Sequence, residues 1–189
     1  MPNVMFMVLH IRRELMNRAD KKMGYVRKIK NDRRCVFISH KKEDQHIALE
    51  VGKFIMEKLN MDIYLDIFDI ELQEAVSVHN DEKIVQSIQE GIDISDILLC
   101  IVSDKTRLSW WVPYEVGRAD TKNKKIVSLK TKNVEDFPSF LKTKDTVENL
   151  QQFISYILKN GTYGDLFYDE KIVGKIRNGE IGGLEKYFD

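Results

Sequence analysis

The sequence predicts an α/β fold: a parallel sheet with helices on both faces. Three observations carry this. Short β-rich runs alternate with helical stripes from residue 35 onward. One run, Ile97-Leu-Leu-Cys-Ile-Val102, is apolar throughout, as a central strand covered on both faces should be. The chain has 189 residues, 43% hydrophobic and 32% charged, which suits one domain with a real core plus extensions.

The elements follow in order. Cys35-Val-Phe-Ile-Ser39 is the first β-rich run. Ile47, Val51, Ile55 and Leu59 recur at four-residue spacing and mark a helix. Asp62-Ile-Tyr-Leu-Asp66 reads as a second strand, followed by a long polar stretch from Phe68 to Asp81. Ile84, Ile88 and Ile92 mark the next helix, which leads into the central strand. Trp110 to Asn123 reads as a helix and Ile126-Val-Ser-Leu129 as a strand. A short last strand is expected within Phe137–Lys142. Val147, Leu150, Ile154 and Ile157 mark the closing helix.

Two extensions flank this domain of residues 35–160. Residues 1–34 carry ten Lys and Arg against Glu14, Asp20 and Asp32, and Val4, Val8, Ile11 and Leu15 fall on one helical face. Such a basic amphipathic helix suits a membrane surface, a polyanion, or packing against the domain or a sister subunit; packing is the favoured reading. Residues 161–189 hold six of the ten glycines and five aromatics (Tyr163, Phe167, Tyr168, Tyr187, Phe188), which suggests a tail docked on the domain.

Composition narrows the function classes. Lys+Arg and Asp+Glu are both 30, so net charge makes no case for nucleic-acid binding. It also leaves little repulsion against self-association. Cys35 and Cys100 each lie in an apolar run, which favours two free thiols and a reducing cytoplasm. No run approaches the roughly 18 apolar residues that span a membrane. Arg12 and Arg13 follow the apolar Val4–Leu9 run instead of preceding it, unlike a secretory signal.

Ligands of open parallel sheets bind beyond the carboxyl ends of the strands. Here those ends are Ser39-His40-Lys41 and Ser103-Asp104-Lys105. No glycine-rich phosphate loop follows the first strand, and no G-x-S-x-G nucleophile turn occurs. His10, His40, His46 and His79 lack metal-ligand spacing, so no metal site is expected. Asp104 and Lys130 would suit a phosphate receiver, but Ser39-His40 stands where that fold needs an acidic cluster. The segment Ser109-Trp110-Trp111-Val-Pro113-Tyr-Glu115 is more telling. Ser109 is a plausible N-cap, Pro113 is tolerable only near a helix start, and Glu115 falls close to the expected site mouth. From pattern alone, core packing of both tryptophans and a catalytic role for Glu115 are equally open.

Three blocks in order resemble the TIR family across residues 35–158. Val36-Phe-Ile-Ser39-His40-Lys-Lys-Glu-Asp44 is similar to its opening box, with His40 where Tyr or Phe is usual. Ile88 to Val102 is similar to its second helix and third strand. Trp111-Val-Pro-Tyr-Glu115 matches the W-x-x-x-E of its enzymes. The resemblance implies a flavodoxin-like three-layer sandwich with a mostly parallel five-stranded sheet. It implies cleavage of the nicotinamide–ribose bond of NAD+, a substrate and not a resident cofactor, with Glu115 as catalytic residue. Ser39, His40, Lys41, Phe68, Ser103 and Trp111 would line the NAD+ pocket, with Trp111 shielding it from water and Trp110, unmatched, left as a core residue. The Phe68–Asp81 stretch corresponds to the BB loop, which gates the site and mediates TIR–TIR self-association. Bacterial stand-alone members, such as those of Thoeris antiphage systems, make a cyclic ADP-ribose signal for a separate effector. A chain with no fused sensor or effector would fit that role. The competing expectation is a non-enzymatic adaptor that acts by assembly; the presence of Glu115 favours the enzyme.

Overall fold

The computed structural model describes residues 34–59, 61–132, 134–161, 174 and 183–188. The expected N-terminal helix and most of the glycine-rich tail lie outside them. Five strands form one sheet: β1 (Cys35–Ser39), β2 (Asp62–Tyr64), β3 (Ile97–Val102), β4 (Lys125–Lys130) and β5 (Asp145–Val147), in the order β2-β1-β3-β4-β5. Every pairing is parallel, a step beyond the mostly parallel sheet expected. The helices are α1 (Gln45–Leu59), α2 (Ile70–Ser77), α3 (Asp81–Asp93), α4 (Trp111–Thr121) and α5 (Leu150–Gly161). The arrangement is flavodoxin-like.

Strand alternation distributes the helices over both faces. Ile38 of β1 and Ile63 of β2 point toward α1, where a Cβ on Gly52 would press on both side chains. Their neighbours Phe37 and Tyr64 are register partners, point the other way and stack with centroids 5.1 Å apart. Gly91 of α3 lies directly over the Tyr64 ring, so α1 and α3 cover opposite faces. The central β3 is buried at every position, as its unbroken apolar run requires.

Three sequence expectations change. Residues 137–142 hold no strand: 139–143 are consecutive turns, with Leu141 N–H donating to Pro138 O and Lys144 N–H to Leu141 O, and the last strand begins at Asp145. The apolar character of that stretch serves packing instead: Leu141 is buried, and Phe137 and Phe140 rest on the core. Pro138, with no N–H, cannot donate to a ladder. Val147 belongs to β5 and not to the closing helix. Within the polar stretch 68–81 lies α2. Its start is fixed by Asp69, which accepts from Leu72 N–H, and Leu72 and Ala75 give it an inward face. Tyr64 Oη donates to the same Asp69 carboxylate, which ties α2 to the end of β2.

Part of the tail packs on the domain. Lys132 N–H donates to Tyr187 O at 2.8 Å, and Leu184 and Phe188 are buried. Lys186 and the Tyr187 hydroxyl both reach Glu50 of α1.

The contact between Gly91 and Tyr64 can be tested. Ala is the better helix former by about 1 kcal/mol, but overpacking a buried ring costs about 1–3 kcal/mol. Gly91→Ala should therefore lower unfolding free energy by up to about 2 kcal/mol in urea titration. Increased stability would contradict this packing.

Candidate functional site

The sheet order reverses between β1 and β3, so a crevice opens at their carboxyl ends. α4 starts beside it. Ser109 Oγ accepts from Val112 N–H at 3.2 Å and caps the first turn, where Pro113 needs no backbone donor. Val112, Glu115, Val116 and Ala119 then form the buried stripe of α4. A carboxylate thus occupies a position whose helical neighbours are all apolar.

Glu115 is only 7% exposed. Ser39 Oγ at the end of β1 donates to Glu115 Oε2 at 2.5 Å. Burial pushes the Glu115 pKa up to about 8; the Ser39 hydrogen bond pulls it down, and the Asp66 charge adds to the rise. Cys100, the register partner of Ser39, is fully buried, and burial raises its thiol far above the ordinary range, so it stays protonated.

Glu115 lies at a cavity of about 440 Å³. His40, Lys41 and Lys42 line it from the β1 loop, Asp66 from the 3-10 turn that follows β2, and Trp110 and Trp111 from the start of α4. Leu72 and Val76 of α2, with Ile84 and Ile88 of α3, complete an apolar wall beside Gln73, whose side-chain amide donates to Asp66 O. The His40 side chain is 3% exposed, with Nε2 4.0 Å from Asp66 Oδ1. Lys41 Nζ donates to Leu108 O at 3.4 Å and lies 3.7 Å from Glu43. Trp111 sits edge-on to Tyr114 at 6.0 Å, and Tyr114 Oη accepts from Gln89 of α3. This braces one tryptophan while leaving part of its ring in the cavity.

The sequence-predicted residues divide into two groups. Ser39, His40, Lys41, Trp111 and Glu115 come together here. Phe68 and Ser103 do not line this cavity. Phe68 turns into the core at 5% exposure. Ser103 Oγ donates to Asp44 Oδ2 on a separate surface beside Lys105, Lys132 and Tyr187, where it satisfies a buried carboxylate. Trp110, expected in the core, is 91% exposed at the rim. It precedes the helix, and the inward stripe begins only at Val112, so no core position is available to it. Asp66, Lys42 and the α2–α3 wall were missed. Asp66 was visible in principle, because it follows a strand next to β1 and so shares its edge. Lys42 lay inside the opening box without a role.

The fold and site define a parallel α/β domain with a single buried glutamate at its switch point. A family model described as the TIR domain matches residues 36–156. The chain belongs to the TIR domain family. No curated protein matches it. Among the described residues, no group of three or more His, Cys, Asp or Glu could hold a metal, and no helix is long and apolar enough to cross a membrane.

The buried carboxyl has a stability signature. Its pKa is about 8 in the folded chain against 4.5 in the reference state. The native state therefore holds a proton that the unfolded state releases. The stabilisation is fully present below pH 4.5, falls as pH rises and is gone above about 8. Urea titrations of wild type and Glu115→Gln between pH 4.5 and 9 should show wild type losing stability relative to the variant, by a few kcal/mol at most. A pH-independent difference would contradict the shift.

Proposed function

We propose that this chain cleaves the nicotinamide–ribose bond of NAD+ with Glu115 as its catalytic residue. The observation that carries the reading is the Glu115 carboxyl, buried and hydrogen-bonded by Ser39 at the floor of a cavity with separated charges. Lys41 and Lys42 at one part of the lining suit the pyrophosphate. Asp66 and Glu115 suit the cationic nicotinamide ribosyl group. The arriving pyridinium charge favours the ionised carboxylate, and its proton passes to solvent.

When the C1′–N1 bond breaks, its electron pair leaves with nicotinamide, which departs neutral. No general acid is required, unlike in ordinary glycoside hydrolysis. The ribosyl group becomes an oxocarbenium ion, and the Glu115 carboxylate stabilises it and can hold the ribose hydroxyls. Trp111 and the Val76, Ile84 and Ile88 wall limit water access. That favours capture of C1′ by a nucleophile of the same molecule, giving a cyclic ADP-ribose isomer. Water capture gives ADP-ribose and a proton. We place such a product as the signal to a separate effector in antiphage defence, made by a cytoplasmic protein working in TIR–TIR assemblies. A second reading, an adaptor acting by assembly alone, draws on Ile70, Val76 and Val78, apolar residues about half or more exposed in and beside α2.

Nicotinamide release from NAD+, followed by chromatography under conditions that permit assembly, separates the two. Glu115→Gln should lose about 100- to 1,000-fold or more of the rate while keeping its circular dichroism spectrum. No release by wild type, or an equal rate in the variant, rejects the enzyme. Mass spectrometry separates a cyclic product, lighter by one water, from ADP-ribose.

The active form is the carboxylate, so kcat/KM should rise with pH and level off above about 8. One unit below that value it should be about tenfold under the plateau. Ser39→Ala removes the hydrogen bond that lowers the Glu115 pKa, so its profile should move to higher pH. A flat profile, or a shift downward, would contradict the assignment.

A further inference from the structure

A second groove lies between α2 and α3, on the side of α2 facing away from the Glu115 cavity. It measures about 440 Å³ and is lined by Glu71, Glu74 and Glu90 around Ala75 and Val78, with Lys83 as its one basic residue. Val78 is 69% exposed above the buried Ala75, so the groove joins one exposed apolar side chain to an excess of negative charge. Neither the catalytic reading nor the strand ends account for it.

The chain itself carries the complement. Residues 1–33 hold nine Lys and Arg against three acidic residues, and Val4, Val8, Ile11 and Leu15 recur at helical spacing. The whole chain is formally neutral, so the remainder bears a negative charge of equal size. The path is also short. Cys35 N–H donates to the Asp96 carboxylate and Asp96 N–H donates to Cys35 O, which places the chain entering β1 next to the loop after α3. The groove runs along α3, which is 13 residues and about 20 Å long. Even at the 1.5 Å per residue of a helix, thirty-three residues reach about 50 Å, more than twice that distance.

We propose that the basic segment 1–33 docks in the α2–α3 groove, its apolar face on Ala75 and Val78 and its basic residues against Glu71, Glu74 and Glu90. The consequence reaches the cavity. α2 presents Glu71 and Glu74 to the groove, with Val78 just past its end, while Leu72, Gln73 and Val76 wall the Glu115 cavity. A segment held in the groove steadies that wall from behind. The inference goes beyond the proposed reaction and stands without it.

Amine-reactive crosslinking of the full chain tests this, with Lys83 as the reporter in the groove. Links should join Lys83 to Lys21, Lys22, Lys28 or Lys30. They should fall several-fold at 1 M salt, where the Debye length is about 3 Å. They should fall likewise in the triple variant Glu71→Gln/Glu74→Gln/Glu90→Gln, which keeps every lysine. Amide hydrogen exchange in 70–77 should speed up in that variant. Mixing isotope-labelled and unlabelled chains tells links within a chain from links between copies. Absent links, links insensitive to both salt and substitution, or links only between copies would overturn the proposal. The salt series on the wild-type chain decides it even if the variant fails to fold.

Discussion

The hydrogen bond from Ser39 to Glu115 is the contact on which the site depends. It joins the end of β1 to the inward stripe of α4 across the point where the strand order reverses. A carboxyl buried among Val112, Val116 and Ala119 would be costly if left without a partner. One hydroxyl leaves it satisfied but still poorly solvated, so its pKa rises instead of falling. The helix position that would normally complete a core thus becomes a chemical group held near its titration point.

Around that carboxyl the fold supplies two kinds of wall. The β1 loop brings basic residues, and α2 and α3 bring apolar ones. α2 is anchored by Asp69, which caps its first turn and accepts the Tyr64 hydroxyl. Burial and the Asp69 charge hold that phenol far above its ordinary pKa, so it donates at any physiological pH. The same Tyr64 ring stacks on Phe37 and lies under Gly91. The core and the cavity wall therefore share one residue.

Much of this was legible in the sequence, and the reasons differ by residue. The central β3 and the helical stripes declared themselves by periodicity, which reports burial directly. Ser39 and Glu115 were found because strand ends and helix starts meet at one edge of a parallel sheet. Trp110 was misplaced because a large apolar residue without a motif role reads as core, whereas the inward stripe of α4 begins at Val112 and leaves both tryptophans outside it. The last strand was misplaced because Phe137, Phe140 and Leu141 bury apolar surface from turns, and β5 is too short to show alternation. α2 was read as polar loop because it turns two buried residues inward and exposes the rest. Phe68 was assigned by resemblance alone and Ser103 also by its place at the end of the central strand, and their side chains serve the core and Asp44.

Membership of the TIR family sets the fold and leaves the chemistry to the residues. The central claim is that burial keeps Glu115 protonated until a cationic ligand ionises it. Carbon-13 NMR titration of glutamate-labelled protein, with Glu115→Gln to assign the resonance, measures this directly. Without ligand, the Glu115 carboxyl should titrate near pH 8. With an uncleavable NAD+ analogue that keeps the pyridinium charge, it should titrate at clearly lower pH. Titration in the ordinary carboxylate range without ligand, or a midpoint the analogue does not move, would contradict the account.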